Sequence, residues 1–261
     1  MPNPPVSPNG PVSFRAALVT GGARRLGRAM ALGLAARGVD VALHYNSNGD
    51  EAEATAADIR ALGVNAVTLQ ADLLDMDQTQ GLVDRAREGL GCDLDVLINS
   101  ASVFRYDTID KATPESWDMN IDSNLRAPFV LTQEFARQVP RAVRQENGEM
   151  LAQAAIVNMI DQRVKKLTKH YMTYTIGKMG LWAFTQTAAR ALGPDIRVNG
   201  IGPGTTMQGA DQTDAQFHEQ RLGSVLQRGA NPEDIVAAMN FLLDAPVFTG
   251  QLLCIDGGQH L

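Results

Sequence analysis

Thr20-Gly-Gly-Ala-Arg-Arg-Leu-Gly-Arg-Ala-Met-Ala31 follows four apolar strand formers, Ala16 to Val19, and opens an amphipathic helical pattern. The order is strand, glycine turn, helix N-terminus, which is the geometry that holds a dinucleotide pyrophosphate. Glycines let the backbone approach the phosphates, and the first helical N–H groups point at them. One glycine expected between Gly21 and Gly27 is replaced by Arg25. On its own this turn is weak evidence, and residues far downstream decide its meaning.

Outward from this stretch, strands are expected at 15–20, 39–45, 65–70, 94–99, 154–160, 196–201 and 251–255. Helices are expected over 25–37, 49–62, 77–89, 114–145 (allowing a break), 172–192 and 232–244. Ala, Leu and Val fill the strands without strict alternation, as in sheets covered on both faces. Repeated strand–helix order predicts an α/β fold: a single-domain, doubly wound parallel sheet of the Rossmann type, with helices on both faces. The domain is expected over 14–261, behind a flexible or polyproline tail over 1–13. Segment 204–230 follows Gly202-Pro-Gly204 with weak periodicity; it reads as a crossover or, better, as a lid over a substrate.

The chain has 261 residues, a net charge of −6 and 44% hydrophobic residues. That suits one large core, and the absence of a basic run argues against nucleic acid as the main partner. Cys92 and Cys254 are the only cysteines, so no disulfide framework is indicated. Four scattered histidines, His44, His170, His218 and His260, give no metal-ligand spacing. No apolar run approaches the ~20 residues of a bilayer span, and the N-terminus does not read as a secretory signal. A cytoplasmic location is expected.

Tyr174-Thr-Ile-Gly-Lys178 lies inside the long 172–192 helical pattern. Residues four apart share a helix face. An ammonium beside a phenol is expected to pull its pKa down from about 10, letting it exchange a proton at neutral pH while a hydride moves. Together with the glycine turn, Asn99-Ser-Ala-Ser102 and Asn124, this pattern resembles the short-chain dehydrogenase/reductase family from about Phe14 to the C-terminus. The resemblance implies an oxidoreductase using a nicotinamide cofactor, with Tyr174, Lys178 and Asn124 catalytic. It also implies a symmetric homo-oligomer, most often a tetramer, packed through helices 114–145 and 172–192.

The cofactor expected is NADP. No acid stands at the end of the second strand in Leu43-His-Tyr-Asn-Ser-Asn48, where a carboxylate would repel a 2′-phosphate, and Arg24 offers a cation. The bland alternatives are a solvated Arg24 and a packed His44. The resemblance places the cofactor against Gly21, Arg24, Arg25, Leu26 and Gly27, then His44, Tyr45, Asn46 and Ser47. It continues along Asp72, Leu73, Asn99, Ser100 and Ala101 to Tyr174, Lys178, Pro203, Gly204 and Thr205. Asp72 matches the position that accepts a bond from the adenine amine.

Most such enzymes carry a serine thirteen residues before the tyrosine; this chain carries Asp161. With Arg25 in the glycine loop and Phe104 after Asn-Ser-Ala-Ser-Val, the combination resembles the pteridine reductase branch. In that branch, positions matching Arg25, Ser102, Phe104, Asp161, Tyr171 and Tyr174 line the pterin site. The implied roles are stacking by Phe104 against a flat ring, a proton relay through Asp161 and Tyr174, and a cation from Arg25 between pyrophosphate and ring. Asn46 and Ser47 depart from the branch, as does Ser100 where a second asparagine is usual. A general carbonyl or 3-oxoacyl reductase remains the alternative, needing only Tyr174, Lys178 and Asn124. A non-catalytic NADP sensor is a third reading, disfavoured because the tyrosine and lysine are both kept.

Overall fold

In the computed structural model, which describes residues 12–209 and 212–261, seven parallel strands form one twisted sheet. They are β1 (Ala16–Val19), β2 (Asp40–Tyr45), β3 (Ala66–Gln70), β4 (Val96–Asn99), β7 (Ala154–Met159), β8 (Ile196–Pro203) and β9 (Leu252–Ile255). Their spatial order is β3-β2-β1-β4-β7-β8-β9, so the direction of winding reverses between β1 and β4. Ligands bind at such a switch point, beyond the carboxyl ends of the strands.

The central strands are solidly apolar because both faces are covered. Ala16, Ala17, Leu18 and Val19 are all fully buried. Alternate residues feed opposite layers: Ala17 and Val19 pack with helices α1 (Arg25–Ala35) and α9 (Pro232–Asp244), through Met30, Leu34, Met239 and Leu242. Ala16 and Leu18 face α4 (Leu82–Leu90), α6 (Ala127–Gln138) and α7 (Met172–Leu192), through Leu82, Leu131, Phe135 and Ala188. The remaining helices are α2 (Gly49–Ala61), α3 (Met76–Gln80), α5 (Pro114–Ile121) and α8 (Asp214–Leu222).

Five details differ from the sequence reading. Val12 is buried in the core, so the domain includes part of the expected tail; residues 1–11 of that tail lie outside the described residues. The 77–89 helix is two, α3 and α4, parted at Gly81. The long 114–145 helix passes through a wide turn at Asp122–Arg126, then ends at Gln138, two residues before Pro140, which lacks an N–H. A short hairpin, β5 (Val143–Arg144) and β6 (Met150–Leu151), follows it. Segment 204–230 contains α8, whose Thr213 side chain accepts the Gln216 N–H while the Gln216 side chain accepts the Thr213 N–H in return.

Arg197 on β8 is buried, and its guanidinium donates to the carbonyls of Leu242, Leu243 and Ala245 at the end of α9. Burial lowers its pKa to about 10, so it remains a cation at neutral pH. Arg197→Met keeps the apolar stem but leaves buried carbonyls without donors. It should cost about 3 kcal/mol of unfolding free energy in urea denaturation; an unchanged midpoint would contradict this bond set.

Candidate active site

The turn after β1 is compact because only glycine fits. Gly21 adopts φ +64, and a Cβ there would come 3.0 Å from the Ala101 backbone. A Cβ on Gly27 would lie 2.1 Å from Gly21 O. The loops after β1 and β4 therefore meet at the switch point, and they are tied there: Thr20 Oγ1 accepts from the N–H groups of Ser100 (2.9 Å) and Ala101 (3.0 Å). Asn99 is buried, donates to Asn158 Oδ1, and keeps its own Oδ1 without a partner among the described residues.

Arg24 is exposed, forms no ion pair among the described residues, and sits just before α1. Arg25 adopts φ +55, a left-handed conformation that costs a non-glycine residue about 1–2 kcal/mol. Its guanidinium donates to Gln208 O (2.9 Å) and Met207 O (3.4 Å). Leu26 packs beneath on the core. At the end of β2, Tyr45 lies against Gly49, while Asn46 and Ser47 are exposed. Asp72 receives Leu74 N–H, Leu73 is buried, and Pro203, Gly204 and Thr205 leave β8 with Thr205 bound to the Gln259 side chain. These side chains all stand at the carboxyl edge of the sheet.

Beyond β4 and β7 the reactive groups converge. Tyr174 Oη donates to Asp161 Oδ2 at 2.9 Å, and Asp161 Oδ1 accepts the Arg163 N–H at 2.8 Å. Lys178 is buried and donates to Met159 O at 2.7 Å. Ser102 Oγ donates to Asn124 Oδ1 at 2.6 Å, and the Asn124 amide donates to the Val103 and Asn120 carbonyls. Asn124 sits in the wide turn that breaks the helical run.

Burial governs the protonation states. It pushes the Asp161 carboxyl above its ordinary range and holds the Tyr174 phenol well above 10, where the facing carboxylate raises it further. Lys178 falls to about 8 for the same reason. The expected lowering of the phenol by Lys178 does not occur. The ammonium is spent on Met159 O and lies 5.7 Å from the ring centre, whereas Asp161 is in direct contact. Tyr174 is thus a neutral proton donor already aligned with an acceptor.

Phe104 stacks on Tyr171 with centroids 4.2 Å apart and planes 9° apart, and meets Tyr174 edge-on at 4.7 Å. One face of Phe104 is therefore covered by Tyr171. The ring is 52% exposed, so a planar substrate can meet only its other side. Tyr171 itself has φ +55 and precedes α7 without a capping side chain.

Several comparisons bear on this arrangement. The family described as Enoyl-(Acyl carrier protein) reductase matches residues 21–260. The chain belongs to the short-chain dehydrogenase/reductase family. The 3-oxoacyl-[acyl-carrier-protein] reductase FabG of Staphylococcus aureus is 32% identical over 254 residues, 95% of this chain and 98% of that one. Among solved structures, FolM alternative dihydrofolate reductase 1 from Brucella canis, complexed with NADP, superposes with a TM-score of 0.85 at 36% identity, covering 95% of both chains. A short-chain dehydrogenase from Burkholderia cenocepacia in complex with NADP gives 0.85 at 33%, covering 97% of this chain and all of that one.

Within this family fold, Asp161, Tyr174, Ser102, Phe104 and Tyr171 come together, while the side chains of His44 and Arg25 are engaged with other parts of the protein. The His44 side chain is buried, its Nδ1 accepts Gly21 N–H (3.1 Å) and its Nε2 faces Ala71 O (3.0 Å). It is a neutral strut under the glycine turn, which was the bland alternative. Arg25 directs its charge to the 207–208 carbonyls, joining the glycine turn to the base of the 204–230 segment. Two residues escaped notice. Arg221 donates to Thr205 O, Gly229 O and Ala230 O, closing both ends of that segment. Asp107 is buried and receives Thr173 N–H and Thr173 Oγ1–H, capping α7 from another loop. The missing cap at Tyr171 was the readable signal that such a carboxylate was needed.

Burial lowers His44 to about 4 from 6.5. Because the folded pKa lies below the unfolded one, the stabilisation it reports is complete above pH 6.5 and is lost as pH falls towards 4. Wild type should lose about 3 kcal/mol more than His44→Gln across that window in denaturant titrations; parallel pH curves would contradict the neutral-strut role.

Proposed function

We propose that the chain is an NADPH-dependent reductase of pterin-type rings. The observation carrying this reading is the 2.9 Å bond from Tyr174 to Asp161 beneath the edge of Phe104. Simple carbonyl reduction needs only a phenol, a lysine and Asn124, and leaves Asp161 and the half-exposed Phe104 without a task. A pterin offers a flat ring to stack and a C=N bond to reduce. The FolM neighbour with NADP supports the same reading.

Bound NADPH would supply the hydride. The Gly21–Gly27 turn and the start of α1 fit a pyrophosphate, because the turn excludes Cβ atoms and no side chain caps the first turn of the helix. Exposed Arg24 and the acid-free end of β2 favour a 2′-phosphate over a bare ribose. Tyr174 gives its proton to the reduced ring nitrogen, and the Asp161 carboxyl, which orients that phenol and takes up a proton from solvent, passes that proton to the resulting phenolate across their hydrogen bond. Phe104 holds the substrate plane, while Lys178 stays charged near neutral pH and steadies the end of β7 through Met159 O. A 3-oxoacyl thioester substrate is the second reading, favoured by the FabG relative.

The protein is further proposed to be a cytoplasmic homotetramer. Trp117, Phe129 and Ile176 are exposed on α5, α6 and α7, a face that a second copy would cover. No helix among the described residues is long and apolar enough to cross a membrane. Light scattering at micromolar concentration should give four times the 28.1 kDa chain mass; a monomer would reject the assembly.

The two enzyme readings separate in kcat/KM for a dihydropterin and for a 3-oxoacyl thioester. Phe104→Ala should lower the pterin value several-fold, consistent with ~0.5–1.5 kcal/mol of stacking. Asp161→Ser should cost the pterin reaction at least about tenfold more than the thioester reaction, because a hydroxyl replaces the carboxylate at the phenol. Equal losses on both substrates, or no pterin reduction by wild type, would overturn the pterin reading in favour of the thioester.

A further inference from the structure

The net charge is −6, yet the segment leaving the active site from Arg163 to His170 contains Arg163, Lys165, Lys166 and Lys169 and no acid. Three of these cations are engaged. Arg163 lies over the Tyr171 ring and donates to Thr168, Lys165 lies over Trp182, and Lys166 donates to the carbonyl oxygens of Gln259 and Leu261. Lys169 is exposed and has no salt bridge among the described residues; the same holds for Lys111 on the facing turn. Between them lies a recess of about 320 Å³, lined by Ile109, Asp110, Lys111, Lys169, His170 and Met172. Its one carboxylate, Asp110, already accepts from Thr108 Oγ1. Asp107 nearby is buried and spent on Thr173.

A continuous aromatic track joins this recess to the proton donor. Tyr174 touches Phe104 (4.7 Å), Phe104 stacks on Tyr171 (4.2 Å), Tyr171 meets Tyr106 edge-on (5.1 Å), and Tyr106 Oη bonds His170 Nδ1 (3.0 Å). Tyr106 and Phe104 are each about half exposed along that track. The surface is built in the order ring, ring, cation.

We propose that the recess between residues 108–111 and 169–172 is a subsite for the carboxylates that end an aryl-linked tail on the substrate, as in a folate. This rests on the pterin reading of the active site and narrows it. The fused ring would lie on the open side of Phe104, the aryl linker along Tyr106 and the tail carboxylates between Lys111 and Lys169, with Ile109 and Met172 as an apolar floor. A pterin with a short uncharged side chain has nothing to place there. An acidic carrier protein would meet the same charges, and the test is arranged to expose that outcome.

The experiment measures KM and kcat of the intact enzyme for 7,8-dihydrofolate and for 7,8-dihydrobiopterin, in wild type and in Lys111→Gln/Lys169→Gln. The ratio of the two KM values should shift against dihydrofolate by about three- to tenfold, the size expected for two exposed charge pairs, with kcat for dihydrofolate retained. Added salt should shrink the effect, since the pairs are screened. Lys169→Glu should enlarge it. An unchanged ratio overturns the subsite, as does loss confined to an acyl-carrier-protein substrate. Reduction of dihydrobiopterin but not dihydrofolate by wild type overturns the subsite alone. Reduction of neither removes the pterin reading and the subsite with it.

Discussion

The hydrogen bond from the Tyr174 phenol to the Asp161 carboxylate sets what the site can do. In water a phenol and a carboxylate keep pKa values about six units apart, and the bond between them is weak. Here burial raises both, so ionising either one is costly unless the other answers it. A charge-assisted bond in such a setting holds the phenol in one orientation with its proton in place. A serine at position 161 could orient the phenol but could not hold a negative charge against it. The side chain at 161 therefore decides whether a charge faces the phenol, and the rest of the fold brings two distant elements to within 2.9 Å.

That meeting depends on strained and capped backbone. Asp161 leaves β7 with its other carboxylate oxygen pinned by Arg163 N–H. Tyr174 sits one turn into α7, whose start is fixed by Asp107 reaching over from the loop that carries Phe104. Tyr171 is held left-handed between them, its N–H donating to Asp107 O. Arg25 shows the same conformation on the opposite wall and is anchored by carbonyls from the 204–230 segment. Strain of about 1–3 kcal/mol at each residue persists only where the surroundings over-determine it. Both residues flank the crevice, and both bond to a neighbouring loop, so the walls are mutually supporting.

The sheet was readable from the sequence because its strands are buried on both faces and bounded by glycine turns and helix starts. The starts of α1, α2, α7 and α9 were equally plain. The end of α6 was not, since the apolar pattern runs on past Gln138 and only Pro140 marks the stop. Helix α8 has no buried residue, so no apolar stripe announced it. In the site, the meeting of Asp161, Tyr174 and Lys178 was legible, but the direction of the phenol shift was not. It depends on which group the lysine touches and on how much water is excluded, and neither is a property of spacing. His44 was ambiguous for the same reason: only the fold shows that both ring nitrogens are occupied.

The most direct test of this account is the ionisation of Tyr174 itself, read as the ultraviolet phenolate signal of the protein minus that of Tyr174→Phe. The account predicts titration above the ordinary value of about 10, falling markedly in Asp161→Asn as the facing charge is removed. A phenol that titrates below 10 in the wild-type protein, or is indifferent to Asp161→Asn, would contradict it.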